Sequence, residues 1–317
     1  MREFSWARRR ATGLRLSAAV GCLALGGLGP AGASLALASR GTDGATTSST
    51  SPSWLKEINR YRLATGLKRV SNNPAWDLGI KHHLTYLAKT PKKYFTGAYA
   101  SAHTENPKSP YYTSDGAREA GYSDLAPGGV TSAVQAIDIW LRAPFHAVGM
   151  LRAQLGQVAL AVNVHTGYAG LDVIQGLNYG LPPATKPILF PGPGVTTNLS
   201  TYGGEVPSPL QTCRWSDRST YGLPLVMLLT HPPSAQLHAS LTGPKGTEST
   251  GNGKLCAVDE HTFRTTDRIY GPTGAAILHN DKAVFLIPRH PLSRGKYRVS
   301  VRQGGASPID WSFSAAG

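Results

Sequence analysis

Apolar positions recur at helical spacing in the first half of the chain and in short continuous or alternating runs in the second, with a proline-rich break between. Trp54, Leu55, Ile58, Tyr61 and Arg62 share one helical face, and Gly66 supplies a stop. Asn73-Pro74 opens a second predicted helix, in which Leu78, His82, His83, Tyr86 and Leu87 fall on adjoining turns. Residues 90–131 are rich in Tyr, Pro, Ser and Gly and have little periodicity. They predict a long loop region with one short helix around 116–120, and loops of this length line a site or cap a cavity. Residues 132–141 predict a helix that buries Val134, Ile137 and Trp140 and ends before Pro144, and the runs 157–164 and 171–177 read as strands.

Three prolines between Pro182 and Pro187 favour an extended connector, which places a boundary at 182–187. Beyond it lie apolar or alternating runs at 223–229, 237–241, 275–278, 284–287, 297–301 and 309–313, separated by turn residues such as Gly304-Gly305. Six short strands with almost no helical pattern predict an antiparallel, immunoglobulin-like sandwich over 188–317. The stretch from Ile287-Pro288 through Tyr297-Arg298-Val299-Ser300-Val301 to Trp311-Ser312-Phe313 resembles the last strands of bacterial Ig-like modules.

The 317 residues suffice for two domains, each with its own core. The first 38 residues carry five arginines and then an uncharged Ala/Gly/Leu-rich run ending Ala36-Leu37-Ala38, the layout of a signal peptide cut after Ala38. Residues 39–52 are small and polar and predict a disordered spacer. A secreted, extracellular bacterial protein with no membrane span after cleavage follows from this reading. The leader holds five of the 32 basic and one of the 18 acidic residues, so the remainder keeps a charge of about +10. Such a surface is drawn to anionic envelope polymers or lipid headgroups. No basic block longer than two residues follows the leader, so no specific nucleic-acid partner is expected. Removal of the leader, with Cys22, leaves Cys213 and Cys256, which are expected to pair in an oxidising compartment.

An ordered series of short motifs carries a family resemblance. Ile58-Asn59-Arg60-Tyr61-Arg62 precedes the Gly66 turn, and Asn73-Pro74 leads to Lys81-His82-His83-Leu84-Thr85-Tyr86. Next come Ala102-His103-Thr104-Glu105, Arg118-Glu119-Ala120-Gly121-Tyr122, and Ile139-Trp140 followed by Ala143-Pro144-Phe145-His146. In this order the segment 53–181 resembles the CAP superfamily of cysteine-rich secretory, antigen 5 and pathogenesis-related proteins (the SCP domain). The resemblance implies an α+β chain: a three-layer α-β-α sandwich followed by the Ig-like β domain.

It further implies a central cavity in which two histidines and acidic residues meet and which binds a divalent metal such as zinc in some members. The histidines map to His83 and His146. The family's Gly-Glu-Asn-Ile segment is missing, and Asp124 stands in for its glutamate, with His103 and Glu105 as further cavity candidates. His103-Thr104-Glu105-Asn106-Pro107 lacks the second histidine of a helical zinc-protease motif. No nucleophile elbow, phosphate-binding loop or dinucleotide fingerprint appears. Three functions fit: a non-enzymatic binding module for a lipid, an envelope component or a partner protein; a metal-assisted extracellular hydrolase; or an extracellular structural protein.

Overall fold

The computed structural model describes residues 51–305 and 307–317. The leader 1–38, and the spacer 39–52 apart from its last two residues, lie outside them. Helix α1 (Ser53–Ala64) buries Trp54, Leu55, Ile58, Tyr61 and Arg62, the face expected from spacing. A two-residue strand β1 (Ser71–Asn72) and a short turn follow, the turn capped by the Asn73 side chain, which accepts the Ala75 amide. Helix α2 (Asp77–Lys89) then turns Gly79, Ile80, His83, Leu84 and Tyr86 inward. Leu78 is 58% exposed, so the buried stripe runs through Ile80 and Leu84 instead of the expected Leu78 and Leu87.

The long 90–131 region contains more structure than expected. Helix α3 (Ser114–Tyr122) starts at Thr113, whose hydroxyl accepts the Gly116 amide, and leads directly into strand β2 (Ser123–Pro127). Helix α4 (Ala133–Leu141) is capped by Ser132. Pro144 both ends α4 and opens a further helix, α5 (Pro144–Leu151), from the N1 position that proline suits. Strands β3 (Gln157–Asn163) and β4 (Tyr168–Asp172) complete the first region. β4 lies upstream of the expected 171–177, because Asp172 Oδ1 accepts the amides of Ile174 and Gln175 and turns the chain out of the sheet.

The sheet order is β1-β3-β4-β2, with β1 parallel to β3 and the other pairs antiparallel. One face, Ala159 and Ala161, meets Ile80 and Leu84 of α2. The other, with Val158, Leu160, Ala169 and Leu171, joins the core built on α1, α4 and α5. Alternation along β3 thus feeds two helical layers, giving the three-layer α-β-α sandwich.

The second region contains strands β5 (Ile188–Phe190), β6 (Thr196–Thr197), β7 (Leu225–Leu228), β8 (Leu237–Gly243), β9 (Gly246–Ser249) and β10 (Leu255–Val258). Helix α6 (Gly271–Asn280), then β11 (Ala283–Pro288), β12 (Gly295–Gln303) and β13 (Ile309–Ala315), complete it. They form a four-stranded sheet, β10-β11-β7-β5, and a five-stranded sheet, β6-β13-β12-β8-β9. The run 275–278, expected as a strand, belongs to α6: Pro272 stands in its first turn, and Gly274 and Leu278, four apart, form its buried face.

β12 and β13 alternate buried and exposed positions, whereas every residue of β7 and β11 is buried. The cause is that α5 and α6 cover the sheet face turned away from the sandwich. The two regions accordingly share one apolar cluster from Trp54 to Ala315 instead of burying separate cores. Phe145 of α5 meets Phe285 of β11 and Phe263 edge-on at 5.0 and 5.4 Å. Arg152 holds Asp281 through two 2.8 Å hydrogen bonds. At Gly192 a Cβ would collide with the Ala64 carbonyl, so only glycine lets the chain pass the end of α1 so closely. Cys213 and Cys256 form the expected disulfide.

Candidate functional site

The close packing of α5 against α6 leaves a cavity of about 280 Å³ between the regions. Helix α5 contributes Phe145, His146 and Gly149; the α3–β2 junction contributes Tyr122 to Asp124; the 101–103 segment contributes Ser101 and His103. The second region closes it with Val206, Pro207, Tyr270, Gly274 and Ile277. Three of the five expected site residues, His103, Asp124 and His146, stand on its wall.

His83 and Glu105 do not. They form a separate buried pair: His83 Nδ1 lies 2.8 Å from Glu105 Oε1, and His83 Nε2 donates to the Ala102 carbonyl at 2.9 Å. Glu105 Oε2 accepts the Thr113 amide, so the pair ties α2 to the 101–113 segment. Both His83 nitrogens are thereby committed to protein partners. The His83–His146 metal pair that the family resemblance implied does not fit this arrangement, since ligation by His83 would require breaking one of its two buried hydrogen bonds. Among the described residues, no group of three or more His, Cys, Asp or Glu converges as a metal site.

His146 is oriented by Glu205, whose carboxylate lies 3.0 Å from Nδ1 and also accepts the Phe145 amide. Burial works against the imidazolium, but the Glu205 hydrogen bond and the Asp124 and Glu205 charges outweigh it and raise the His146 pKa. Burial raises Glu205 too, against the pull of His146. Asp124 is pushed up to about 7, chiefly by burial, although His146 and Arg152 attract its charge. Its Oδ2 is buried with no hydrogen-bond partner among the described residues. It packs against Gly149, where a Cβ would come within 2.8 Å of Val173 and 3.3 Å of Asp124 Oδ2. His103 donates from Nδ1 to the Ala120 carbonyl at 3.1 Å, and burial lowers it to about 4, so it is neutral at pH 7. Its ring meets Tyr270 edge-on, and the Tyr270 hydroxyl accepts the Ala102 amide at 2.8 Å.

Beside the cavity, where α3 ends and β4 leaves the sheet, Glu119 and Asp172 are fully buried and share a hydrogen bond. Glu119 Oε2 and Asp172 Oδ2 lack N–H or hydroxyl partners, and one proton between them satisfies both. Asp172 already accepts two amides, so Glu119 holds that proton; burial and the neighbouring Asp172 charge raise its pKa. A carboxyl that keeps its proton longer when folded contributes fully below the ordinary value of 4.5 and progressively less as pH rises toward its folded value. Glu119→Gln, whose amide can donate to Asp172 at any pH, is therefore expected to change stability little at pH 4. At pH 8 it should add about 1–3 kcal/mol, read from denaturant midpoints at the two pH values.

Sequence reasoning missed Glu205, Tyr270 and Ile277, which reach the site from segments with no motif around them, and Arg152, which follows the block around His146. Residues 55–178 match the family model described as CAP, cysteine-rich secretory protein family. No curated protein matches the chain. A solved structure of PcoC, a methionine-rich copper resistance protein from Escherichia coli, is similar at 14% identity over 40% of this chain and 92% of that one, with a TM-score of 0.21. A likeness of that size carries no argument about fold or copper. The family match, the motif order and the α-β-α layers agree: the segment 55–178 of this chain is a CAP domain of the cysteine-rich secretory protein family.

Proposed function

We propose that this chain is an exported, non-enzymatic binding protein whose CAP cavity takes a small amphipathic envelope molecule, or the head and first carbons of a lipid. The observation that carries the reading is the cavity's two-sided lining. Phe145, Val173, Ile174 and Ile277 offer apolar walls, while His103, Asp124 and His146 form a polar cluster, with Asp124 Oδ2 lacking a protein partner. Few polar groups on an apolar wall is the usual composition of a small-molecule site, and about 280 Å³ lies just below the usual ~300–1,000 Å³, which suits a small ligand or part of a larger one. The leader-like N-terminus and the disulfide support export. Among the described residues no helix is long and apolar enough to cross a membrane.

Titration with anilinonaphthalene sulfonate, an amphipathic fluorescent anion, tests the site. Ile277→Trp, which fills the cavity from α6, is expected to weaken binding at least about tenfold, equivalent to ~1.4 kcal/mol. Unchanged affinity would place the dye elsewhere and remove the support for this cavity.

A second reading, hydrolysis, rests on Asp124, a carboxyl titrating near neutrality beside a histidine oriented by Glu205. It requires turnover of an activated ester with a pH limb near 7 that Asp124→Asn removes. Probe binding without turnover decides for the first reading.

A further inference from the structure

Far along the chain from the CAP motifs, a second concavity of about 640 Å³ opens on the β region, lined by Arg214, Trp215, Tyr221, Lys254, Arg289 and their neighbours. Three separate segments build it, and three links hold them together. The Cys213–Cys256 disulfide joins the segment carrying Arg214 and Trp215 to the strand that begins just after Lys254. The Arg289 amide donates to the Lys254 carbonyl at 2.8 Å. Trp215 and Tyr221 stack at 5.0 Å with planes 11° apart, and the Arg289 guanidinium packs on both rings at 4.8 and 5.3 Å. The aromatic pair therefore fixes a guanidinium in place before any ligand arrives. Arg214 adopts a left-handed backbone, φ 57°, at the end of the 209–213 turn, a conformation that costs a side-chain-bearing residue about 1 kcal/mol.

The charges in this concavity are not balanced. Glu248 is committed to His290 at 2.7 Å and to the Arg289 amide. Among the described residues, no ion pair involves Arg214, Lys254 or Arg289. Three unpaired cations call for more negative charge than one carboxylate carries. Two are guanidinium forks, suited to paired oxygens on a tetrahedral anion. The volume exceeds what one such anion fills, and the charge of about +10 carried outside the leader draws polyanions toward it.

We propose that this concavity is a phosphate site for a polyanionic chain, contacted by Arg214, Lys254 and Arg289, with Trp215 and Tyr221 as the platform that orders Arg289.

The test titrates the disulfide-bonded protein at about 0.15 M salt, where surface charges more than ~8 Å apart are screened. The probes are linear polyphosphate, inorganic phosphate, phosphatidylglycerol vesicles and polyglutamate, read by calorimetry and by tryptophan fluorescence. Replacing Arg214, Lys254 and Arg289 together by Ser is expected to weaken polyphosphate binding at least tenfold. The charge-matched change of Lys56, Lys81 and Lys92, all exposed on the first region, should alter it less than twofold. Arg289→Lys, which keeps the charge but loses the fork, should weaken it severalfold. The same site-specific loss with free phosphate or with vesicles supports the site and names the anion's source. Equal losses in the two triple variants would reduce the effect to diffuse charge, and equal affinity for polyglutamate would remove the phosphate preference; either result overturns the proposal.

Discussion

Arg62→Ala is expected to destabilise the protein by about 3–5 kcal/mol, at the upper end of what a single substitution does. Arg62 is fully buried, and its guanidinium donates to four backbone carbonyls: Lys68, Met150, Arg152 and Leu155, at 2.6–3.1 Å. Those carbonyls lie in the loop after α1 and where α5 runs into β3, so one side chain ties the connection after one helix to the end of another. Among the described residues no carboxylate pairs with it, and burial lowers its pKa to about 10, which still leaves it charged at pH 7. Truncation would strand these carbonyls without donors and leave a void. Arg62→Lys should recover only part of the loss, since one ammonium cannot span four acceptors in a fixed fork. In a thermal melt at roughly 2–4 °C per kcal/mol, Arg62→Ala should lower Tm by about 6–20 °C. A drop under about 2 °C would show that the network contributes little.

Replacing Cys213 and Cys256 by Ser is expected to cost roughly 4 kcal/mol, the chain-entropy value for a closed loop of this length, 43 residues of separation. Cys256 is buried in β10 at the edge of the four-stranded sheet, while Cys213 ends a turn on the surface, so the bond anchors an otherwise irregular segment to that sheet. The same change should loosen the Arg214–Trp215 segment while sparing the 101–152 side of the CAP cavity. Hydrogen exchange checks this: protection lost at 209–222 and kept in α5 is the expected pattern.

How far these features were legible depended on whether neighbours in sequence or neighbours in space set them. Helices α1 and α4 and strands β3, β8, β12 and β13 follow local period and composition, and the structure has them close to where the pattern put them. α6 was hidden because an Ala-Ala-Ile-Leu run reads equally as strand, and only Pro272 and the i, i+4 spacing of the buried Gly274 and Leu278 mark it as a helix. β2 was hidden in a Gly/Pro/Tyr-rich stretch, where it gains its register from β4.

The continuous apolar runs of β7 and β11 did carry information, because burial on both faces requires a covering layer, in this protein α5 and α6. Motif order singles out His103, Asp124 and His146, which the structure places on the cavity wall. His83 was misplaced on the cavity, since nothing in the spacing tells a wall histidine from one bonded on both nitrogens beneath the surface. Glu205 gave no local signal, as its role depends on a contact across 59 residues of chain.

If the cavity between the CAP domain and the β region holds an amphipathic ligand, that ligand should travel with the protein through purification. Native mass spectrometry of protein purified from its own cells, compared with the denatured mass of the same sample, tests this most directly. A bound mass of a few small-molecule or lipid units, released on denaturation and absent from Ile277→Trp, is the result expected. Identical native and denatured masses, with no adduct regained when a membrane lipid extract is added, would contradict it.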